Sequence, residues 1–404
     1  MLVVSNLYPP AVRGGYEVEC QDVVEHLRER HEVTVLTSVQ GRGEVAGEAG
    51  VLRTLPWVRH AKADSLQAPR HALLGVRAAR AALAAARPEL VYVWNGAQIP
   101  QAALQVLTTE GPPVAFRICE HWFRSLYTGD VFLRHLTPGE RGLRGAWARA
   151  MRLANRHPEL RIDLDRPVRA AVSWNSQALR TAAPAPPPVR TVHEAVTHPS
   201  SARVEVFAGV ERRPAPAEAP RILFAGRLDR HKGPDVAVRA FAALRARHPG
   251  ATLLLAGEGP ERDALAALAG ELGVGDAVEL PGALRGDALL AEVARASAWV
   301  VPSVWEEPAG LVCTEAALAR VPAVLSRVGG IPEMLREEEH ALFFAKGDHA
   351  GCAEALHRAL SDPGTPERVA RAFARGQELR HAPYLRAMDA FLADGLAALG
   401  RPAA

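Results

Sequence analysis

Two short segments gather the residues whose types and spacing could do chemistry. The first is Gly226-Arg227-Leu228-Asp229-Arg230-His231-Lys232-Gly233. A guanidinium grips two oxygens at once through its planar fork, and an ammonium supplies a compact point charge. Glycines beside them permit close backbone approach. Arg227 and Lys232 in this setting suit a diphosphate; a solvated basic loop is the plainer alternative. The second segment is Pro302-Ser303-Val304-Trp305-Glu306-Glu307-Pro308-Ala309-Gly310-Leu311-Val312-Cys313-Thr314-Glu315. Pro308 and Gly310 mark a helix start, which frees amides near Ala309, Gly310 and Leu311 to face an anion at the positive end of the helix dipole. Glu307 then lies in the loop and Glu315 in the helix. Carboxylates accept hydrogen bonds in pairs, as a ribose diol or sugar hydroxyls require. Taken as an isolated pair, the glutamates would read as helix-surface charge.

Such segments need strand ends and helix starts to hold them. The second half of the chain alternates short apolar runs, read as strands at Ile222–Ala225, Thr252–Ala256, Val278–Leu280, Trp299–Val301, Ala323–Leu325 and Leu342–Phe344, with helical stretches between. This is a doubly wound α/β domain, and such domains bind ligands at the carboxyl ends of their strands, where both segments fall. The first half repeats the alternation: strands Leu2–Val4, Val33–Thr37, Leu90–Trp94, Val114–Ile118 and Ala170–Trp174, helices Glu17–Arg30 and Ala78–Ala86. Between 183 and 220 prolines recur too densely for helices or central strands, with only the short run Val189–Val192 among them. A boundary near 200–218 follows. The expected division is a first domain over 1–205, a second over 206–382 and a final helix over 383–404 packing back toward the first.

Together the two segments resemble the family-4 retaining glycosyltransferases (glycosyl transferases group 1). Gly226-Arg227-Leu228 through Lys232-Gly233 is similar to their phosphate loop, and Glu307 with Glu315 has their E-x7-E spacing. Gly257-Glu258-Gly259, Pro302-Ser303, Glu315-Ala316, Pro322 and Gly329-Gly330-Ile331-Pro332-Glu333 follow in family order. The first half resembles the family more loosely, through Tyr8-Pro9-Pro10, Gly14-Gly15 and His31-Glu32-Val33-Thr34-Val35. The resemblance implies a GT-B fold of two facing Rossmann-like doubly wound domains with an interdomain cleft, 1–205 binding the acceptor and 206–382 the nucleotide-sugar donor. It implies transfer of a sugar from a nucleotide-diphosphate sugar to an acceptor hydroxyl with retention of anomeric configuration. Gly14 and Gly15 would close over the donor diphosphate, and backbone near Gly257, Gly282 and Ala283 would meet the donor, Gly282-Ala283 the base. Arg227, Lys232 and the amides near Gly310 would stabilise the leaving diphosphate without a metal; Glu315 would hold the ribose and Glu307 the transferred sugar. Three positions depart from the pattern: Ala309 stands where the family has Phe, Arg320 where it has Gly, and the strand Val114–Ile118 leads into Cys119-Glu120-His121-Trp122. Either His121 or Cys119 is the counterpart of the family's acceptor-side histidine; the reading favours His121.

The rest of the sequence narrows the field. With 404 residues, 48% hydrophobic and 23% charged, the chain is a soluble globular protein of two domains. A net charge of +3 with interspersed signs does not suggest nucleic acid. Four separated cysteines without ligand spacing suggest free thiols in a reducing cytoplasm, with no signal peptide. No apolar run approaches the roughly 20 residues of a membrane span. The stretch Leu143–Arg156, with Arg144, Arg149, Arg152 and Arg156 around Trp147 and Met151, reads as a domain-surface helix, with peripheral contact to an anionic membrane or acidic acceptor as the alternative. Asp163-Leu164-Asp165 imitates a metal-binding DxD but sits in a charged loop, and no metal or other cofactor is expected. The acceptor is a small molecule, glycan or lipid-linked hydroxyl. The rival readings are a nucleotide-sugar epimerase of the same fold and a non-catalytic sugar-nucleotide-binding subunit.

Overall fold

The computed structural model describes residues 1–43, 48–59, 66–136, 142–187 and 189–400. The chain divides into two compact units, Met1–Thr197 with Leu385–Ala404, and His198–Tyr384. The first unit carries seven strands: β1 (Leu2–Ser5), β2 (Thr34–Ser38), β3 (Val51–Leu55), β4 (Val91–Asn95), β5 (Val114–Ile118), β6 (Val168–Trp174) and β7 (Val189–Val196). They form one sheet in the order β3-β2-β1-β4-β5-β6-β7, and every pairing is parallel. β4 and β5 are buried at every position because helices cover both faces. β7 mixes partly buried and exposed residues and has no fully buried one, as the edge strand it is. Val189–Val192 is the short run that interrupts that proline-rich stretch. It is the start of an eight-residue strand, admissible there because an edge tolerates nearby proline.

Two elements escape a periodicity reading. β3 contains Arg53, which breaks the apolar pattern yet is buried, its guanidinium held by Glu48 at 2.9 Å and by the Tyr8 carbonyl at 3.1 Å. The helix that ends at Ala86 begins at Ala68, ten residues before Ala78, with Pro69 in its first turn and Gly75 within it. From Leu385 onward the helix His381–Ala398 belongs to the first unit. A β-carbon at Gly395 would come within 2.7 Å of the Ala171 β-carbon on β6, so the small residue permits close approach. Asp389 on the same helix accepts from Arg30 at 2.7 Å and lies 3.0 Å from His26, both near the end of the helix Tyr16–Arg28.

The second unit carries β8 (Arg221–Ala225), β9 (Thr252–Ala256), β10 (Val278–Gly282), β11 (Ala298–Val301), β12 (Ala323–Ser326) and β13 (Leu342–Phe344), all parallel, in the order β10-β9-β8-β11-β12-β13. Residues 198–205, expected before the boundary, fall in this unit. The reason is packing: Val204 and Phe207 are buried in its core with Trp299 and Cys313. In both sheets the strand order reverses once, between β1 and β4 and between β8 and β11, and a crevice opens beyond the carboxyl ends at such a point.

Candidate active site

In the second unit the two chemistry-bearing segments leave β8 and β11, the strands either side of the switch point, and pack against each other. The Val304 amide donates to the His231 carbonyl at 2.9 Å. Gly233 has φ +64°, and a β-carbon there would lie 2.0 Å from the Pro302 carbonyl oxygen. Any other residue would push the loops apart. Asp229 caps the single helical turn Arg230–Lys232, accepting from the His231 and Lys232 amides at 3.0 and 3.3 Å. The same carboxylate pairs with Arg227 at 2.9 Å, although the Arg227 side chain remains 66% exposed.

Lys232 and Glu307, 75 residues apart in sequence, form an ion pair of 2.6 Å. The expectation separated them, Lys232 on phosphate and Glu307 on sugar; they meet because the two loops interlock. Ser303 donates to the same Glu307 oxygen at 2.7 Å. Lys232 Nζ also lies 5.9 Å from the Trp305 ring centre. Glu307 is nearly buried, and its backbone is fixed: the Gly330 amide donates to its carbonyl at 2.8 Å, and a β-carbon at Gly329 would lie 2.0 Å from that oxygen. Glu315, inside the helix Leu311–Leu318, contrasts with it. It is partly buried, no hydrogen bond or ion pair reaches its carboxyl among the described residues, and burial pushes that carboxyl up to about 7, with Arg203 opposing.

The other anticipated positions have individual roles. Gly310, with φ +137°, starts the helix Leu311–Leu318 as the proline-glycine pattern indicated. The Ala309 methyl is turned into the core, which leaves its backbone rather than its side chain for a ligand. A β-carbon at Gly257 would lie 1.8 Å from the Gly226 carbonyl, so Gly257 lets the loops after β8 and β9 touch. Gly282 ends β10 with φ +88°, and Ala283 beside it is exposed. Arg320 has φ +54°, so the family glycine it replaces answers a turn that this chain also makes, with the guanidinium 3.6 Å from the centre of the Phe373 ring.

In the first unit Gly14 and Gly15 precede the helix Tyr16–Arg28. Their turn is already occupied from within: the Glu17 carboxylate, buried, accepts from the Arg13 and Gly14 amides at 3.0 and 2.9 Å. Nothing in the pattern around Gly14-Gly15 singled out Glu17. Cys119 is buried and burial raises its thiol well above the ordinary range, whereas His121 opens a short helical segment just past β5 and is partly exposed. Between them Glu120, beside Asn95, has its carboxyl raised by burial. Asp163 and Asp165 lie exposed in a turn closed by the Asp165 amide on Asp163 at 3.0 Å. Among the described residues no group of three or more His, Cys, Asp or Glu is placed to hold a metal ion, and no helix is long and apolar enough to cross a membrane. All four cysteines are free and buried.

Two parallel-sheet α/β units with loops of this kind define a GT-B fold. Solved structures share it over nearly the whole chain. HepE from Anabaena, solved in complex with UDP, superposes with a TM-score of 0.67 at 19% identity, covering 97% of this chain and 99% of that one. Sucrose-phosphate synthase from Thermosynechococcus elongatus gives 0.66 at 20%, covering 96% of each. Residues 210–375, most of the second unit, match the family described as Glycosyl transferases group 1. Glycogen synthase of Mycobacterium tuberculosis is 42% identical over 166 residues, which is 41% of this chain and 39% of that protein. Over 389 residues, 94% of this chain and 93% of the relative, it is 27% identical to the GDP-mannose-dependent alpha-(1-6)-phosphatidylinositol monomannoside mannosyltransferase of Mycolicibacterium smegmatis.

Proposed function

We propose that this chain is a cytoplasmic glycosyltransferase that moves a sugar from a nucleoside diphosphate sugar to an acceptor hydroxyl, with retention at the anomeric carbon and without a bound metal. The observation that carries the reading is the convergence of Arg227, Lys232, Glu307 and the start of the helix Leu311–Leu318 on the loops after β8 and β11. Each cation is held there by a carboxylate that a diphosphate can replace. Charge fixed in advance toward a leaving group is often the largest catalytic contribution. Arg227 and Lys232 with the Gly310–Leu311 amides receive the diphosphate; Glu315 accepts from the ribose and Glu307 from the transferred sugar. The match of residues 210–375 to Glycosyl transferases group 1, with relatives whose names specify glycosyl transfer, supports this chemistry; the retaining course is what the resemblance of the two segments to family 4 implies. The unit carrying β1–β7 takes the acceptor, a small molecule, glycan or lipid-linked hydroxyl. His121 is its working side chain there, since Cys119 is closed off by burial.

The test is direct. Thermal-shift measurements with uridine, guanosine, adenosine and thymidine diphosphates should single out one nucleotide, adding about 2.7 kcal/mol at a hundredfold excess over Kd. Transfer from the matching nucleotide sugar should survive chelator, and Arg227→Lys should impair it because the two-pronged grip is lost while the charge is kept. No nucleotide binding, or activity that disappears with chelator and returns with magnesium, overturns the corresponding part of the reading.

A further inference from the structure

Glu307 is held asymmetrically. Lys232 Nζ and Ser303 Oγ both donate to Oε1, at 2.6 and 2.7 Å, and no hydrogen bond from the described residues reaches Oε2. The side chain is almost dry, at 7% exposure of the residue. A carboxylate offers acceptor sites on both oxygens, and Oε2, which is not sealed from solvent, is open to a donor that a ligand supplies. The two donors also differ in kind. Lys232 reaches in on a flexible stem and is 35% exposed, whereas Ser303 is 1% exposed and fixed just past the end of β11. An anion arriving at the phosphate loop competes with Glu307 for the lysine; it cannot draw away the serine.

We propose that Ser303 is a positioning residue: its hydroxyl keeps Oε1 of Glu307 anchored when Lys232 turns to the diphosphate, so that Oε2 alone is presented to a hydroxyl of the transferred sugar. The inference rests on the glycosyl-transfer reading. It assigns the serine no contact with the substrate, only the orientation of the carboxylate that makes one. Lys232 thus serves two partners in turn, and Ser303 makes the exchange possible without loss of the glutamate's aim.

The experiment uses the full chain with UDP-glucose and GDP-mannose as donors and UDP and GDP as controls. Calorimetry reads how much more tightly the nucleotide sugar binds than its free nucleotide, and steady-state kinetics read kcat. Ser303→Ala should lower kcat about 10- to 100-fold, as expected for loss of a hydrogen bond to a charged group. It should also abolish the extra affinity for the nucleotide sugar and leave free-nucleotide affinity within about twofold. Ser303→Thr, which retains the hydroxyl, should recover most of both losses. In the Glu307→Gln background Ser303→Ala should add little, because its effect passes through that carboxylate; thermal melting of each variant separates this from simple unfolding. A full further loss in the Glu307→Gln background, or wild-type kcat in Ser303→Ala, overturns the proposal. If wild-type protein binds neither nucleotide nor nucleotide sugar, the glycosyl-transfer reading itself fails, which is a different result from normal binding with no role for Ser303.

Discussion

The two switch points of the molecule handle charge in opposite ways. In the first unit Arg117 on β5 and Glu19 on the helix Tyr16–Arg28 form an ion pair of 2.8 Å at 0% and 2% exposure. Arg117 also donates to Ser173 on β6, whose hydroxyl continues to Thr197 beyond β7. Nearby, Glu17 fills the amides of its own turn. In the second unit the pairs Arg227–Asp229 and Lys232–Glu307 leave their cations 66% and 35% exposed. Buried charges satisfied from within lock a backbone in place. A pair whose cation stays exposed can trade that cation to a ligand at smaller cost, because water already screens part of the attraction. The second arrangement is what an anion-binding loop needs.

The largest expected effect tests the locked side. Arg117→Ala leaves Glu19 charged and dry, so stability should fall by about 3–5 kcal/mol in denaturant titration, the range for breaking a buried pair. Nucleotide affinity of the folded fraction should stay near that of wild type. A loss below about 1 kcal/mol would mean that water reaches this pair and that the two switch points do not differ as described.

The exchangeable side is tested by the two glutamates. Glu315→Ala should weaken binding of the free nucleoside diphosphate and of the full donor alike, by about 1.5–3 kcal/mol, because the ribose is common to both. Glu307→Ala should leave free-nucleotide affinity unchanged or slightly tighter, since Lys232 loses its competing carboxylate, while kcat falls. Calorimetry with the free diphosphate and kinetics with the donor decide between them. Equal loss of nucleotide affinity in both variants ends this division of labour.

Much of the second unit was legible in the sequence because its strands are short apolar runs with sharp ends; Thr252–Ala256 and Leu342–Phe344 match at both ends. The glycine and proline positions around Gly233 and Gly310 marked the loops for a physical reason, namely that the backbone there admits little else. What stayed hidden involves partners far apart in the chain. No local pattern reveals that Lys232 meets Glu307, or that Arg117 in a buried strand is answered by Glu19, 98 residues away. β3 was missed because Arg53 looks like surface, and its burial depends on carbonyls from Tyr8 and Gln40 that only the fold brings near. Arg320 departs from the glycine of the family pattern, and its positive φ shows a turn made with a costlier residue.

The smallest expected effect sharpens the contrast within the second unit itself, between the paired Glu307 and the unpaired Glu315. Burial raises the Glu315 carboxyl from 4.5 to about 7, so the folded chain binds this proton more tightly than the unfolded chain does. For a raised carboxyl the sign is that its stabilising contribution is complete below about pH 4.5 and is lost as pH rises through about 7. Glu315→Gln keeps the volume and cannot ionise. Wild type and variant should therefore melt together at pH 5. At pH 8 the variant should be more stable by about 1–2 kcal/mol, a figure below the full shift because the side chain is only partly buried. Adding the cognate nucleoside diphosphate should reverse the order at pH 8, since the ionised carboxylate gains ribose donors that the amide accepts less well. Thermal denaturation of both proteins across pH 5–8, with and without nucleotide, reads both effects. Parallel curves for the two proteins would mean that Glu315 ionises as freely as a surface carboxylate, and that the cost of holding a ribose-binding charge in this helix is not what sets it apart from Glu307.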